Sequence, residues 1–66
     1  MKKIRHKGTG LYFAHGKWIE DFTSAQVFGT PVEAQRVCKE FNLKEVELVY
    51  CFGDKPTKWD FGVPLG

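Results

Sequence analysis

The chain has little material for a metal site, a redox site or a membrane span. Its 66 residues include two cysteines, and the longest uninterrupted apolar run, Leu48 to Phe52, is far short of the roughly 20 residues that cross a bilayer. The histidines His6 and His15 and the cysteines Cys38 and Cys51 form no Cys-x-x-Cys or His-x3-His pair of the kind found in zinc sites. We therefore expect no metal, no cofactor and no membrane partner.

A recognisable set of catalytic residues is also lacking. Both cysteines fall where packing predicts burial and both histidines fall in the N-terminal strands, so no thiol–imidazole pair is expected. Glu20 and Asp21 are adjacent on a predicted strand and point to opposite faces, which does not suit a shared acid–base dyad. Gly8-Thr9-Gly10 precedes no helix, so it does not indicate a phosphate loop. We predict no catalytic residue and no enzymatic activity.

Aromatic side chains and unevenly placed charges are what the chain does have. Ten residues are aromatic, and a chain of this length buries only roughly 60% of the surface that it exposes when unfolded. Some rings should therefore face a partner. Residues 1–17 carry five bases and no acid, whereas residues 18–66 carry five bases and eight acids. The basic segment indicates contact with phosphate or with an acidic surface, or else a solvated edge strand that discourages edge-to-edge pairing.

A helix start is indicated by three neighbouring residues. Thr30 can cap the first turn, Pro31 suits the first helical position, and the Glu33 carboxylate can reach back to the Thr30 N–H. Apolar residues then recur at the spacing of one helix face, at Ala34, Val37, Cys38 and Phe41. The sequence therefore predicts one helix over about 31–41, ended by Asn42 in a left-handed conformation.

Strands are predicted on both sides of that helix. Lys2 to Lys7 alternates as a basic edge strand, and His15-Gly16 joins two aromatic-rich runs as a hairpin turn. In the second run, alternation places Trp18 and Phe22 on one face. The clearest strand, which we expect at the centre of the sheet, presents to the core Val46, Leu48, Tyr50 and Phe52.

These elements predict a single small α+β domain over residues 1–66. We expect an antiparallel sheet of three or four strands, with the helix packed across one face and the opposite face available to a partner. Residues 54–66 form either a C-terminal tail or an extra strand. In that segment, Trp59 and Phe61 either close the core or dock onto another subunit or target.

Binding is the function class that remains. The residues that can form a basic and aromatic face for a partner or for nucleic acid are Lys3, Arg5, Lys7, Tyr12, Lys17, Trp18, Trp59 and Phe61. Such rings can stack on bases while the cations contact phosphates. The same inventory describes a protein interface with an aromatic centre and a charged rim. The sequence leaves the two alternatives open.

A longer pattern extends from the hairpin into the helix, through Trp18, Asp21, Ala25, Val27, Phe28, Thr30, Glu33 and Ala34. This pattern resembles one common in small bacteriophage and mobile-element proteins, in which a hairpin leads into one helix and a last strand. The resemblance covers about residues 11–52 and implies an accessory protein.

The chain is also similar to the AP2-like arm-binding domain of phage integrases, in which a three-stranded sheet precedes a helix opened by a similar "F-x-T-x-x-E-A". In that family the sheet faces DNA, and the resemblance implies that the contacting residues here are Arg5, Lys7, Tyr12, Lys17 and Trp18. The chain differs from that pattern in its acids at Glu20 and Asp21 and in the strand predicted after the helix.

Taken together, the sequence favours a small non-catalytic interaction protein of a phage or mobile element that binds and blocks a host protein or complex. Inhibitors of bacterial defence, anti-CRISPR proteins among them, are often chains of this size, and we expect the host bacterial cytoplasm as the location. One alternative is a DNA-binding module that uses the basic N-terminal sheet. Another is an oligomeric sponge for a nucleotide signal, which requires a homodimer or larger assembly.

Overall fold

The computed structural model describes residues 1–65, which form a five-stranded antiparallel sheet and one helix. The strands lie in the order β3-β2-β1-β4-β5. The α+β class is confirmed, with five strands instead of three or four. Within the described residues, no helix is long and apolar enough to cross a membrane. The elements are β1 (Lys2–His6), β2 (Tyr12–Ala14), β3 (Lys17–Ile19), α1 (Pro31–Glu40), β4 (Val46–Tyr50) and β5 (Phe61–Pro64).

The helix begins where the sequence predicts it. The Glu33 N–H donates to the Thr30 hydroxyl at 3.1 Å, which satisfies one of the four N–H groups that a helix start leaves unpaired. The Glu33 carboxylate accepts from the Gly29 N–H at 3.3 Å, one residue before the predicted partner. Past the end of α1, Asn42 has a φ of 53°, the predicted left-handed conformation.

The central strand is β1, which corrects its expected place at the edge. It pairs with β2 on one side and with β4 along its whole length on the other. Ile4 is fully buried, and the Lys3 side chain is also buried. β4 lies inside the sheet but next to the edge strand β5. The alternating charges of β1 therefore predicted an edge strand. Its long-range pairing with β4 instead places β1 at the centre of the sheet.

The two faces of the sheet carry separate apolar clusters. On the helix face, which packs against α1, the buried residues are Ile4, Phe13, Phe28, Ala34, Cys38, Val46 and Leu48. On the opposite face, which we call the loop face, they are Tyr12, Phe22, Ala25, Val49 and Cys51. The expectation that the second face stands open is therefore wrong.

The covering of the loop face comes from residues 20–26. β3 ends at Ile19, after which the chain turns back over the sheet, so Phe22 does not share the Trp18 face. The Asp21 carboxylate holds this turn by accepting hydrogen bonds from the hydroxyls of Thr23 and Ser24, at 2.7 and 2.6 Å. These bonds lower the pKa of Asp21, that from Ser24 most.

The β2–β3 hairpin is confirmed in its predicted form. Its two-residue turn consists of His15 and Gly16, with φ angles of 48° and 88°. Positive φ at both positions is the geometry that fits the twist of the flanking strands. The hairpin ends the sheet at β3, opposite to the edge formed by β5.

Candidate functional site

The eight residues expected at a binding face do not form one surface. Two of them are inside the molecule. Lys3 is 2% exposed, and its ammonium donates to the Phe22 carbonyl and lies 3.9 Å from the centre of the Phe22 ring. Tyr12 is buried in the loop-face cluster. Neither side chain is accessible to a partner or to phosphate.

Arg5 is also engaged within the protein. Its Nε and Nη2 atoms donate to the same Glu47 oxygen, at 2.9 and 2.7 Å. Burial is the largest single effect on the pKa of the guanidinium and acts to lower it, but the hydrogen bond and the charge of Glu47, together with Tyr12, raise it above its ordinary value. Lys7 and Lys17 are exposed, but Lys7 lies in the turn after β1 and Lys17 on the edge strand β3. The basic N-terminal segment therefore presents separated cations rather than a continuous face.

Trp18 belongs to a cluster at the β3 edge. Its ring meets those of His6 and Phe13 edge to face, with centroids 5.6 Å apart in both pairs. The ring of Phe41, at the end of α1, lies 5.2 Å from that of Phe13. Trp18 therefore has packing partners on the helix face and is about one-third exposed.

The remaining two predicted residues lie at the opposite edge, where the structure leaves aromatic rings uncovered. Phe61 opens β5 and stacks on Tyr50 of β4, with centroids 4.9 Å apart and an interplanar angle of 8°. The Phe52 ring lies 6.3 Å from Phe61, and Val63 shares the Phe61 face of β5 because residues two apart on a strand point the same way. We call Tyr50, Phe52, Phe61 and Val63, together with Trp59 two residues before Phe61, the aromatic patch.

The exposed rings at this edge present an apolar surface of appreciable area. Phe52 and Phe61 are 65% and 52% exposed, and the nearby Trp59 is 70% exposed. With the area usual for aromatic side chains, these three rings present roughly 300–450 Å² to water. The largest apolar patch of a typical monomer is of this size and often has a function. The C-terminal segment does form an extra strand, β5, but the side chains of Trp59 and Phe61 stay more than half exposed and so do not close the core.

A hydrogen-bonded turn fixes the chain just before β5. Asp60 accepts from the Thr57 N–H and hydroxyl, at 3.1 and 2.7 Å, and from the Phe52 N–H at 3.1 Å. The hydroxyl bond from Thr57 contributes most to lowering the pKa of Asp60. The Trp59 N–H in turn donates to the Thr57 hydroxyl at 3.2 Å. The exposed Trp59 is therefore held by an ordered turn.

Two lysines border this region. The Lys2 ammonium lies 5.7 Å from the centre of the Tyr50 ring and 3.4 Å from the Gly29 carbonyl oxygen. The Lys58 ammonium lies 5.0 Å from the centre of a ring of Trp59. Both distances fall within the range of cation–π attraction. The ammonium groups of these two lysines therefore place positive charge beside the rings.

The outer edge of β5 is a poor template for a further strand. The Leu65 N–H donates to the Val46 carbonyl at 3.0 Å. Because backbone hydrogen bonds alternate along an antiparallel pair, the backbone groups of Val63 and Phe61 also bond to β4, whereas those of Gly62 and Pro64 point away from the sheet. Pro64 has no N–H to offer. A partner at this edge therefore has a single outward N–H within β5 to pair with, and the exposed side chains supply the contact surface.

The two cysteine thiols are shielded by burial. Cys38 and Cys51 are free and buried in different clusters, and burial raises the pKa of both thiols, which keeps them protonated. In residues 1–65 no three His, Cys, Asp or Glu side chains are grouped as a metal site. A surface pocket of about 370 Å³ lies beside Lys3 and is lined by Met1, Thr23, Val27 and Asp54. Neither a histidine nor a cysteine lines it.

Sequence reasoning found Trp59 and Phe61 but missed four of their neighbours, namely Phe52, Val63, Lys2 and Lys58. Phe52 was assigned to the core by extending β4 two residues too far. Tyr50 was also assigned to the core, and it does pack, half-buried, against the helix-face cluster. Val63 and the two lysines were not singled out. The available signal was the alternation of Phe61 and Val63 followed by Pro64, which is typical of an edge strand. That signal identifies an edge but not the strand that pairs with it.

Comparison with known proteins adds no assignment to this geometry. No family model matches the chain, and neither the curated proteins nor the solved structures contain a match to it.

Proposed function

We propose that this chain is a small non-catalytic protein-binding protein that acts by covering part of another protein's surface with its aromatic patch. The observation that carries the proposal is the stacked Tyr50–Phe61 pair with Phe52 beside it, left open to water at the edge of the sheet. Burying roughly 300–450 Å² of such surface contributes about 25 cal/mol per Å², or on the order of 10 kcal/mol before the costs of association.

The arrangement supports a docking surface in a second way. Aromatic residues dominate the few positions that carry most of the energy in protein interfaces, and those positions work best when they are held in place before binding. The hydrogen bonds of Thr57 and Asp60 order the backbone at Trp59, and stacking on Tyr50 holds the Phe61 ring. The Phe61 ring therefore loses little side-chain freedom when a partner covers it.

The alternative of DNA binding through the basic N-terminal sheet finds less support. That hypothesis needs one accessible face that carries Lys3, Arg5, Lys7 and Lys17 together with Tyr12 and Trp18. Lys3 and Tyr12 are buried, and Arg5 is paired with Glu47. Neutralised and buried cations release few counterions from DNA, so they contribute little to affinity.

Within this class, we propose the finer role of a phage or mobile-element inhibitor that blocks a host protein or complex, as an anti-defence protein does. The support is the chain's small size, its exposed patch and the resemblance of residues 11–52 to phage accessory proteins. Blocking by occupation requires no catalytic residue, which agrees with two buried thiols of raised pKa.

The test compares surface variants in a pull-down from nuclease-treated bacterial lysate. Wild type, Phe52→Ser, Phe61→Ser and the control Val32→Ser are used, because Val32 is 68% exposed on α1, outside the patch. We expect wild type and Val32→Ser to recover one stoichiometric protein, and both patch variants to lose it. Circular dichroism checks that all four chains fold. Equal recovery by all four would refute the patch as the binding surface.

A further inference from the structure

We infer that the partner presents carboxylates around an exposed apolar side chain, so that the aromatic patch docks on an acidic protein surface. This inference rests on the proposed function and specifies its partner. The evidence is the sign of the charge at the margin of the patch together with the shape of the apolar surface that it borders.

The positive charges at the margin are available to a partner. Lys2 and Lys58 approach ring faces, and among residues 1–65 the recorded ion pair is Arg5 with Glu47, so neither lysine is neutralised there. An ammonium has three donors, and Lys2 uses one on the Gly29 carbonyl. Each lysine can therefore donate to a partner's carboxylate without breaking a hydrogen bond or an ion pair of the structure.

Two of the carboxylates closest in sequence to the patch are committed to other groups. Asp60 accepts hydrogen bonds from Thr57 and Phe52, and Glu47 lies on the loop face, paired with Arg5. A third, Asp54, lies two residues after Phe52 and lines the pocket beside Lys3. The charges that lie over rings of the patch are therefore those of Lys2 and Lys58, which select a negative partner surface and speed its approach.

The apolar surface itself favours a protein over nucleic acid. Stacking on Tyr50 covers one face of the Phe61 ring, Phe52 is tilted 44° from Phe61, and Val63 has no ring, which leaves the exposed Trp59 to stack on a base. Two marginal lysines also supply only about two phosphate contacts, a weak electrostatic contribution to binding a strand. An aliphatic or aromatic side chain of a protein fits this surface better.

The same charges disfavour a second copy of the chain as the occupant. In a twofold dimer built on the patch, both copies use the same surface, so the interface would hold two copies of Lys2 and of Lys58. This concentration of positive charge opposes association. An acidic protein gains attraction from the same two residues.

The test selects ligands without assuming their sequence. A random 12-residue peptide library displayed on phage is panned against the full chain, and the enriched peptides are synthesised. Their dissociation constants are measured by fluorescence anisotropy with wild type, Phe61→Ala, Lys58→Glu and Lys44→Glu. Lys44 is the matched control, since it is an exposed lysine in the connection between α1 and β4.

We expect enriched peptides that combine several acidic residues with a large apolar one. Their binding should weaken about tenfold or more with Phe61→Ala and about fivefold with Lys58→Glu, remain unchanged with Lys44→Glu, and weaken as salt rises. A 15-nucleotide single strand and light scattering of the chain alone are run in parallel, as probes for nucleic acid and for self-association.

The outcomes separate this inference from the proposed function. Neutral or basic peptides whose binding depends on Phe61 but not on Lys58 would overturn the acidic partner and leave the protein-binding function standing. Peptides indifferent to Phe61→Ala, or a library without binders, would count against both. Binding of the single strand that Phe61→Ala abolishes would replace the protein partner by nucleic acid, and a dimer that Phe61→Ala dissociates would replace it by a second copy.

Discussion

Replacing Gly62 by alanine tests how β5 is held against the sheet. A methyl group at this position would overlap the Glu47 Oε1 atom and lie 2.7 Å from Cδ and 3.2 Å from Cγ of the same side chain. The φ of Gly62 is not in the left-handed region, so alanine meets no backbone strain there. Glu47 must therefore rotate away, and its two hydrogen bonds from Arg5 are lost.

The expected cost follows from three contributions. The ion pair is partly exposed, with side chains 37% and 17% accessible, so its loss costs at most about 1 kcal/mol. Turning Glu47 out of its preferred rotamer costs about 0.5–1.5 kcal/mol. Alanine recovers about 0.5–1 kcal/mol because it is less flexible than glycine in the unfolded chain. The net destabilisation by Gly62→Ala is therefore about 1 kcal/mol, or about 4–8 °C in Tm.

The sign of the effect should reverse when Glu47 is removed. In a Glu47→Ala background nothing obstructs the methyl group, so Gly62→Ala should stabilise by about 0.5 kcal/mol, which gives a coupling of about 1.5 kcal/mol. Urea and thermal unfolding of the four chains, followed by circular dichroism, measure this cycle. Gly53→Ala is the control, since a Cβ there meets nothing within 4 Å. Equal destabilisation by Gly62→Ala in both backgrounds would refute the clash with Glu47.

Three further predictions concern the helix cap, the turn before β5 and the thiols. Thr30→Ala removes the side-chain acceptor at the helix start and should lower the free energy of unfolding by about 1 kcal/mol in urea titrations; an unchanged midpoint would exclude the cap as a stabilising contact. Because the pKa of Asp60 is lowered, its contribution to stability is complete above the unfolded pKa of about 4 and is lost as pH falls through the lower folded pKa. The NMR signal of the Thr57 amide should therefore shift only in that acid range. A shift near neutral pH would contradict this prediction. Cys38 and Cys51 are buried and should react with a thiol reagent only as fast as the protein opens, and rapid labelling of the native chain would refute their burial.

Much of the local structure could be read from the sequence. Thr30 and Pro31 mark the start of α1, and His15-Gly16 supplies the positive φ angles of the hairpin turn. These features depend on residues a few positions apart, whose backbone preferences act before any tertiary contact forms. The prediction of Val46 to Phe52 as a strand was right in kind and two residues too long.

The arrangement of the strands could not be read in the same way. β1 pairs with β4 more than 40 residues later, and this pairing places Lys3 and Ile4 at the centre of the sheet. Alternation in β1 gives the same pattern for an edge strand and for a central strand covered on both faces. The covering by residues 20–26 distinguishes the two, and it depends on where β3 ends.

The candidate site was likewise predicted in part from the sequence, and the rest depended on the tertiary structure. Composition alone indicated that ten aromatic residues are too many for the core of a 66-residue chain, and it singled out Trp59 and Phe61. Only the pairing of β5 with β4 decided that Phe61 stacks on Tyr50 in the open, while Lys3 and Tyr12 are buried. The reason is physical: hydrophobicity determines that some rings stay outside, whereas contacts between distant strands determine which ones.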